Sequence, residues 1–358
     1  MTSMAHESTT LSTPEPLTLR AESEALLAAG IAGASGAVVG LILGLTDSAP
    51  ALWGTWSFAV WSAIAATIAS GTSAALGYWR SRTTDGGSWR REIANWRYIV
   101  STVSVVITHA ALTAILTLAL FAVLARSFIG VELTAFWTTV LLAVVAGMAA
   151  WLSYLSASET TTQRLTSLLV TFIAVGTVAA MLTTSDPKWW EYHFSQLGTF
   201  NDLSSLLFNG TLIAGGFLVT TFTLYVGHDL RSIGESPRNM RVVTTALAVM
   251  GIMLAFVGVF PVDVNMLLHN LSASGMALMF LLLLVGGPWI LRRMPRAFFL
   301  ASWAFLAALV VSIVLFAIGY FSLTAFEIIV FALIFGWLAV FIRFLSVATD
   351  PDPLNSRA

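Results

Sequence analysis

The feature that most constrains this chain is a series of ten apolar stretches whose flanking positive charges fall almost entirely on one side. Each is about twenty residues long, enough for a helix to cross a bilayer. They run near 25 to 46, 55 to 79, 99 to 125, 134 to 155, 165 to 183, 205 to 226, 241 to 262, 269 to 291, 297 to 319 and 325 to 346. The two ends of the chain and the connections 80 to 98, 156 to 164, 227 to 241 and 292 to 296 hold 15 of the 17 Lys and Arg. The other connections hold only Arg126 and Lys188. Arginine and lysine collect on the cytoplasmic side of a membrane protein, so both termini are expected to be cytoplasmic. A wrong helix count would scramble this asymmetry.

Composition agrees. With 58 % hydrophobic and 10 % charged residues, the chain is too apolar for a soluble domain, whose charged share would be about a quarter. Zero cysteines exclude disulfides, thiolate metal sites and thiol nucleophiles. No nucleic-acid partner is expected; membrane lipid is. Residues 1 to 24 carry Glu7, Glu15, Glu22 and Glu24 against Arg20, and many Ser, Thr and Pro. That pattern is the reverse of a signal peptide and reads as a disordered cytoplasmic tail. Residues 348 to 358 read the same way.

Several packing signals lie inside the spans. Glycines 30, 33, 36, 40 and 44 form a small-residue stripe on the first, and Gly36, Gly40 and Gly44 are spaced to let a second helix approach backbone to backbone. Because the stripe offers docking, the first four spans are expected to join the remaining six through it. Trp53, Trp56 and Trp137 at outer ends, with Trp79, Trp151 and Trp289 at inner ends, form an aromatic belt, while Trp61 and Trp337 lie deeper.

On the inner side, Trp89, Ile93 and Trp96 recur at helical spacing, which leaves Arg90, Arg91 and Arg97 to reach lipid phosphates. On the outer side, Asp186, Pro187 and Gly198 bracket a short amphipathic helix over 187 to 197. Asn201 or Asp202 is then placed to cap span six. Thr324 and Glu327 match a capping box opening span ten. His109 and Asn209 read as interhelical hydrogen-bonding groups.

Pro261 ends span seven, Asp263 caps the next helix, and Asn265, His269 and Ser272 then share one face. A polar face needs partners that hydrocarbon lacks. His193, Asp202, Asp263, Asn265 and His269 are therefore expected to line one outer polar pocket, roofed by the 187 to 197 helix. Their spacing matches no metal-ligand motif. No catalytic, cofactor or metal residue is assigned.

Three features together resemble a known family: the Ser195-Gln-Leu-Gly198 turn, the Leu207-Phe-Asn-Gly-Thr-Leu-Ile213 entry to span six, and Gly258-Val-Phe-Pro261 followed by His269-Asn270. In order and spacing, residues 165 to 346 resemble the bacterial membrane family labelled domain of unknown function 998. The damage-regulated autophagy modulators are more distantly similar. The resemblance implies a six-helix multipass unit, and its distant relatives point to membrane-lipid organisation.

The expected protein is an all-α polytopic bundle of ten transmembrane helices, four plus six, in a bacterial-type plasma membrane. Its parts are a tail at 1 to 24, a four-helix block at 25 to 160, a six-helix domain at 161 to 347 and a tail at 348 to 358. The expected role is non-enzymatic, lipid-interacting or membrane-organising, with membrane lipids as partners and a ligand at the outer rim. A ten-helix drug/metabolite-type transporter is the alternative, although its paired broken helices are missing. A membrane-embedded hydrolase ranks below it, because the five histidines at 6, 109, 193, 228 and 269 form no metal constellation.

Overall fold

The computed structural model describes residues 17–46, 50–83 and 85–349. It is all-helical, and ten of its helices are long and apolar enough to cross a membrane. They are α1 (Leu17–Thr46), α2 (Phe58–Arg80), α3 (Asn95–Ser127), α4 (Ala135–Ser158), α5 (Thr162–Thr183), α6 (Leu203–Ser232), α7 (Pro237–Val259), α8 (Val262–Ile290), α9 (Arg296–Ala317) and α10 (Leu323–Thr349). At about 1.5 Å per residue even the shortest covers about 33 Å, more than the hydrocarbon core. The chain is a multi-pass membrane protein.

We call the end of the bundle where α1 begins and α10 stops proximal, and the opposite end distal. The helix boundaries follow local chemistry. Thr161 accepts the Arg164 N–H to cap α5, and Asp202 accepts the Ser205 N–H to cap α6. Ser236 caps α7, with Pro237 in the first turn where no N–H is needed. At α10 the capping hydroxyl is Ser322, which accepts the Ala325 N–H. Thr324 and Glu327 make no capping box, and Glu327 is used elsewhere.

Helix α1 starts at Leu17, eight residues before the expected span and inside the expected tail. Glu24 explains the extension: its carboxylate pairs with Arg80 on α2 and accepts the Tyr154 hydroxyl of α4 at 2.5 Å. The rest of that tail, and residues 350–358 of the other, lie outside the described residues.

The glycine stripe works within the first four helices. A Cβ on Gly36 would sit 2.6 Å from the Leu142 carbonyl oxygen, and one on Gly40 2.5 Å from that of Thr138. Gly44 meets Ala135 and Thr138 in the same way. So α1 lies directly on α4, and the Thr138 hydroxyl donates to the Gly40 carbonyl at 2.9 Å. The expectation that this stripe docks the first four helices onto the last six is overturned. That junction is made by α3 against α5 and α6, and by the segment that precedes α3.

Helix α6 is central, packed by α5, α7 and α3. The main core gathers Phe208, Phe222, Phe280, Phe298, Trp337 and Phe341, and continues into Tyr78, Tyr98 and Val105 of α2 and α3. Trp337 is buried as expected, and its indole N–H donates to Ser302 at 3.0 Å. His109 is buried too: one ring nitrogen meets the Val105 carbonyl and the other Ser156. Both nitrogens are satisfied, as interhelical glue requires.

Candidate functional site

At the distal end the segment between α5 and α6 folds inward. In place of one helix over 187 to 197 it makes two short 3₁₀ turns, Trp189–Glu191 and Phe194–Gly198. The physical reason is a competing demand for its backbone. Glu327 on α10 accepts the N–H groups of Phe194 and Ser195, and Asn209 on α6 donates to the Gly198 carbonyl at 2.9 Å. Phe194 then seats edge-on against Phe208 and Phe331. Asp186 still accepts the Lys188 N–H at 2.8 Å, but only a turn follows.

Beside this clamp lies a Ser–His pair. His269 on α8 is buried, with Nδ1 2.9 Å from the Phe260 carbonyl and Nε2 3.0 Å from Ser195 Oγ. A carbonyl only accepts, so Nδ1 carries the proton and Nε2 accepts the serine hydroxyl. His193 is close enough to sense His269 electrostatically; burial first, and then that neighbour, hold its imidazole below the usual range.

The other expected pocket residues go elsewhere. Asp202 accepts from Ser205 and from both donors of Ser185; burial opposes its charge, but these bonds win and hold the carboxyl below the usual range. Asp263 is exposed, with no hydrogen bond or ion pair among the described residues. Asn265 interrupts α8 with non-helical backbone, φ −157° and ψ 89°, and its side chain accepts the Leu268 N–H to restart the helix. Asn265 is exposed, whereas His269 and Ser272 are buried. His193 thus lies near enough to His269 to act on it electrostatically, and the structure adds Ser195 and Glu327, which the sequence had not assigned to the pocket.

The proximal end holds two concavities. Residues Asp85–Glu92 form a 3₁₀ segment and α3 starts only at Asn95, so the expected amphipathic helix over 88 to 98 is broken. Arg90 turns inward, 5 % exposed, and donates to the carbonyls of Ser81 and Thr160 and to the Tyr225 hydroxyl. Both carbonyls lie at helix C-terminal ends, α2 and α4, where the backbone dipoles favour a cation. Arg90 therefore ties three helices together and is not free to meet a lipid phosphate. Arg91 donates to the Arg82 carbonyl at 2.9 Å. Of the three arginines singled out, Arg97 lines a groove and Arg90 a smaller cavity beside it.

That groove, about 800 Å³, lies between α3, α6 and α7. Its floor is apolar or hydroxyl-bearing: Val100, Leu224, Ala248, Val249 and Ile252, with Thr220, Thr221 and Thr244. Its proximal mouth is charged and aromatic: Trp89, Glu92, Trp96, Arg97, His228 and Arg231. Trp89 and His228 stack with ring centroids 4.3 Å apart.

Residues 167–343 match the family described as protein of unknown function (DUF998). This part of the chain is a DUF998 domain. It runs from the first turns of α5 to the last turns of α10, and so contains the Ser195–His269 pair, Glu327 and one wall of the groove. The other wall, Trp89 to Ser101, lies outside the DUF998 domain. No curated protein and no solved structure matches the chain.

Proposed function

We propose that this DUF998-containing membrane protein binds a membrane lipid in the groove between α3, α6 and α7, and that its role is lipid organisation without catalysis. The observation that carries this reading is the gradient along the groove. An apolar floor at the depth of the spans suits acyl chain, and the Arg97 and Arg231 guanidinium groups at the mouth supply hydrogen-bond donors for an oxygen-rich head group. Tryptophans 89 and 96 sit where an interface would place them. The charge asymmetry supports a cytoplasmic proximal end, and on that reading the lipid comes from the inner leaflet of a bacterial-type plasma membrane.

The groove also joins the extra N-terminal helices to the DUF998 domain, which gives the lipid a structural effect: it bridges both. The test is native mass spectrometry of the intact protein released from nanodiscs. A retained lipid is expected in the unmodified chain, lost in Ala248→Trp, which fills the floor, and weakened in Arg97→Gln. Release without lipid, or equal retention by Ala248→Trp, overturns the reading.

A further inference from the structure

We infer that the lipid of the groove carries a polyhydroxylated head group, a sugar or polyol, lodged in a second cavity next to it; this inference rests on reading the groove as a lipid site. The second cavity, about 330 Å³, lies between the α4–α5 turn, α6 and the end of α10. It shares two residues with the groove, Trp89 and His228, whose parallel rings form the common wall. Across that wall the chemistry changes. The groove contains Val100, Leu224, Val249 and Ile252, whereas no aliphatic side chain lines the second cavity among the described residues.

Besides the Arg90 guanidinium and the Tyr225 phenol, it is lined by hydroxyl, amide and carboxylate groups, among them Thr162, Gln163, Asp229 and Ser346. Hydroxyls both give and accept, and a carboxylate only accepts, so the set complements a ligand rich in O–H groups. A bare phosphate fits worse. Asp229 would repel it, which offsets the Arg90 charge on the same cavity, and three of the five Arg90 N–H donors already serve two carbonyls and a phenol. Asp229 receives the Thr162 hydroxyl on one oxygen, which leaves acceptor capacity for a ligand. The volume is at the small end of ligand pockets, suited to a single ring. A lipid whose chains occupy the groove would place such a head over the edge of the Trp89–His228 pair.

The experiment compares diacylglycerol, phosphatidate and monoglucosyl diacylglycerol with identical chains, by native mass spectrometry of the full chain in nanodiscs, with free glucose as a fourth arm. The glucosyl lipid is expected to be retained about tenfold or more over the other two. Ser346→Leu, which fills the second cavity from α10, should bring it down to the level of diacylglycerol. Asp229→Asn, which keeps the shape, should lower it in the same direction. Ala248→Trp should release all three lipids. Equal retention of the three, unchanged by either head-cavity variant, overturns the head-group inference and leaves the groove intact. Retention of none sinks the groove reading itself. Binding of free glucose with no advantage for the glucosyl lipid makes the second cavity a site for a soluble polyol and overturns the link to lipid.

Discussion

Replacing Gly40 with alanine tests how α1 is held. The new Cβ would lie 2.5 Å from the Thr138 carbonyl oxygen and 2.9 Å from the carbonyl carbon and the Thr139 Cα. All three are backbone atoms of α4 and cannot swing aside. Relief to ordinary contact requires α1 to retreat by nearly 1 Å, which stretches the 2.9 Å bond from Thr138 to the Gly40 carbonyl beyond useful length. Overpacking costs about 1–3 kcal/mol, and an interhelical hydrogen bond in a membrane about 0.6 kcal/mol. Alanine returns about 1 kcal/mol through helix propensity, so the net loss is about 0.6–2.6 kcal/mol. Gly30 is the internal control, because a Cβ there meets nothing within 4 Å. Gly30→Ala should be neutral or stabilising. Thermal unfolding in detergent, followed by tryptophan fluorescence, reads both. If Gly40→Ala melts at or above Gly30→Ala, the account of the α1–α4 contact is wrong.

Arg90→Met leaves two buried carbonyls and the Tyr225 hydroxyl without their donor, at about 1–3 kcal/mol for each orphaned group. Its unfolding midpoint in detergent should fall further than that of Arg91→Met, whose parent side chain is exposed. Glu327→Gln keeps the size but can no longer accept both N–H groups on a charged carboxylate; faster amide exchange at residues 194–198, with little change elsewhere, is the expected result. His193 is held below its ordinary pKa, so the fold favours its neutral form; the associated stability is full above about pH 6.5 and declines as pH falls through that value. Amide exchange in the 189–198 segment should therefore accelerate on acidification from pH 7 to 5, and His193→Gln should flatten that dependence. For orientation, an impermeant thiol reagent on intact cells should label Lys188→Cys and spare Ser232→Cys; the opposite pattern reverses the proposed topology.

The sequence by itself determined the ten spans, and the reason is local. A backbone crossing hydrocarbon must satisfy its own hydrogen bonds within each segment, so length and apolarity in a single window suffice to mark a helix. The Gly36, Gly40 and Gly44 register was legible for the same reason, since absent side chains and helical periodicity are both local facts. The Asp202 cap also depends only on neighbours in the chain.

Tertiary structure alone decided where the polar side chains point. Arg90 meets Tyr225 across 135 residues, Glu327 meets Phe194 across 133, and His269 meets Ser195 across 74. From sequence, Arg90 looked like a lipid-facing cation and Glu327 like a capping group. Each instead found a stronger demand at a distance: two helix ends needing a cation, and a loop backbone needing an acceptor. The choice of α4 as the partner of the glycine stripe was settled the same way, because a stripe specifies how closely a helix can approach, while the small residues Ala135, Ala146 and Gly147 on the facing surface specify which one does. In the same way, the groove consists of side chains from α3, α6 and α7, and its gradient exists only once those three helices stand together.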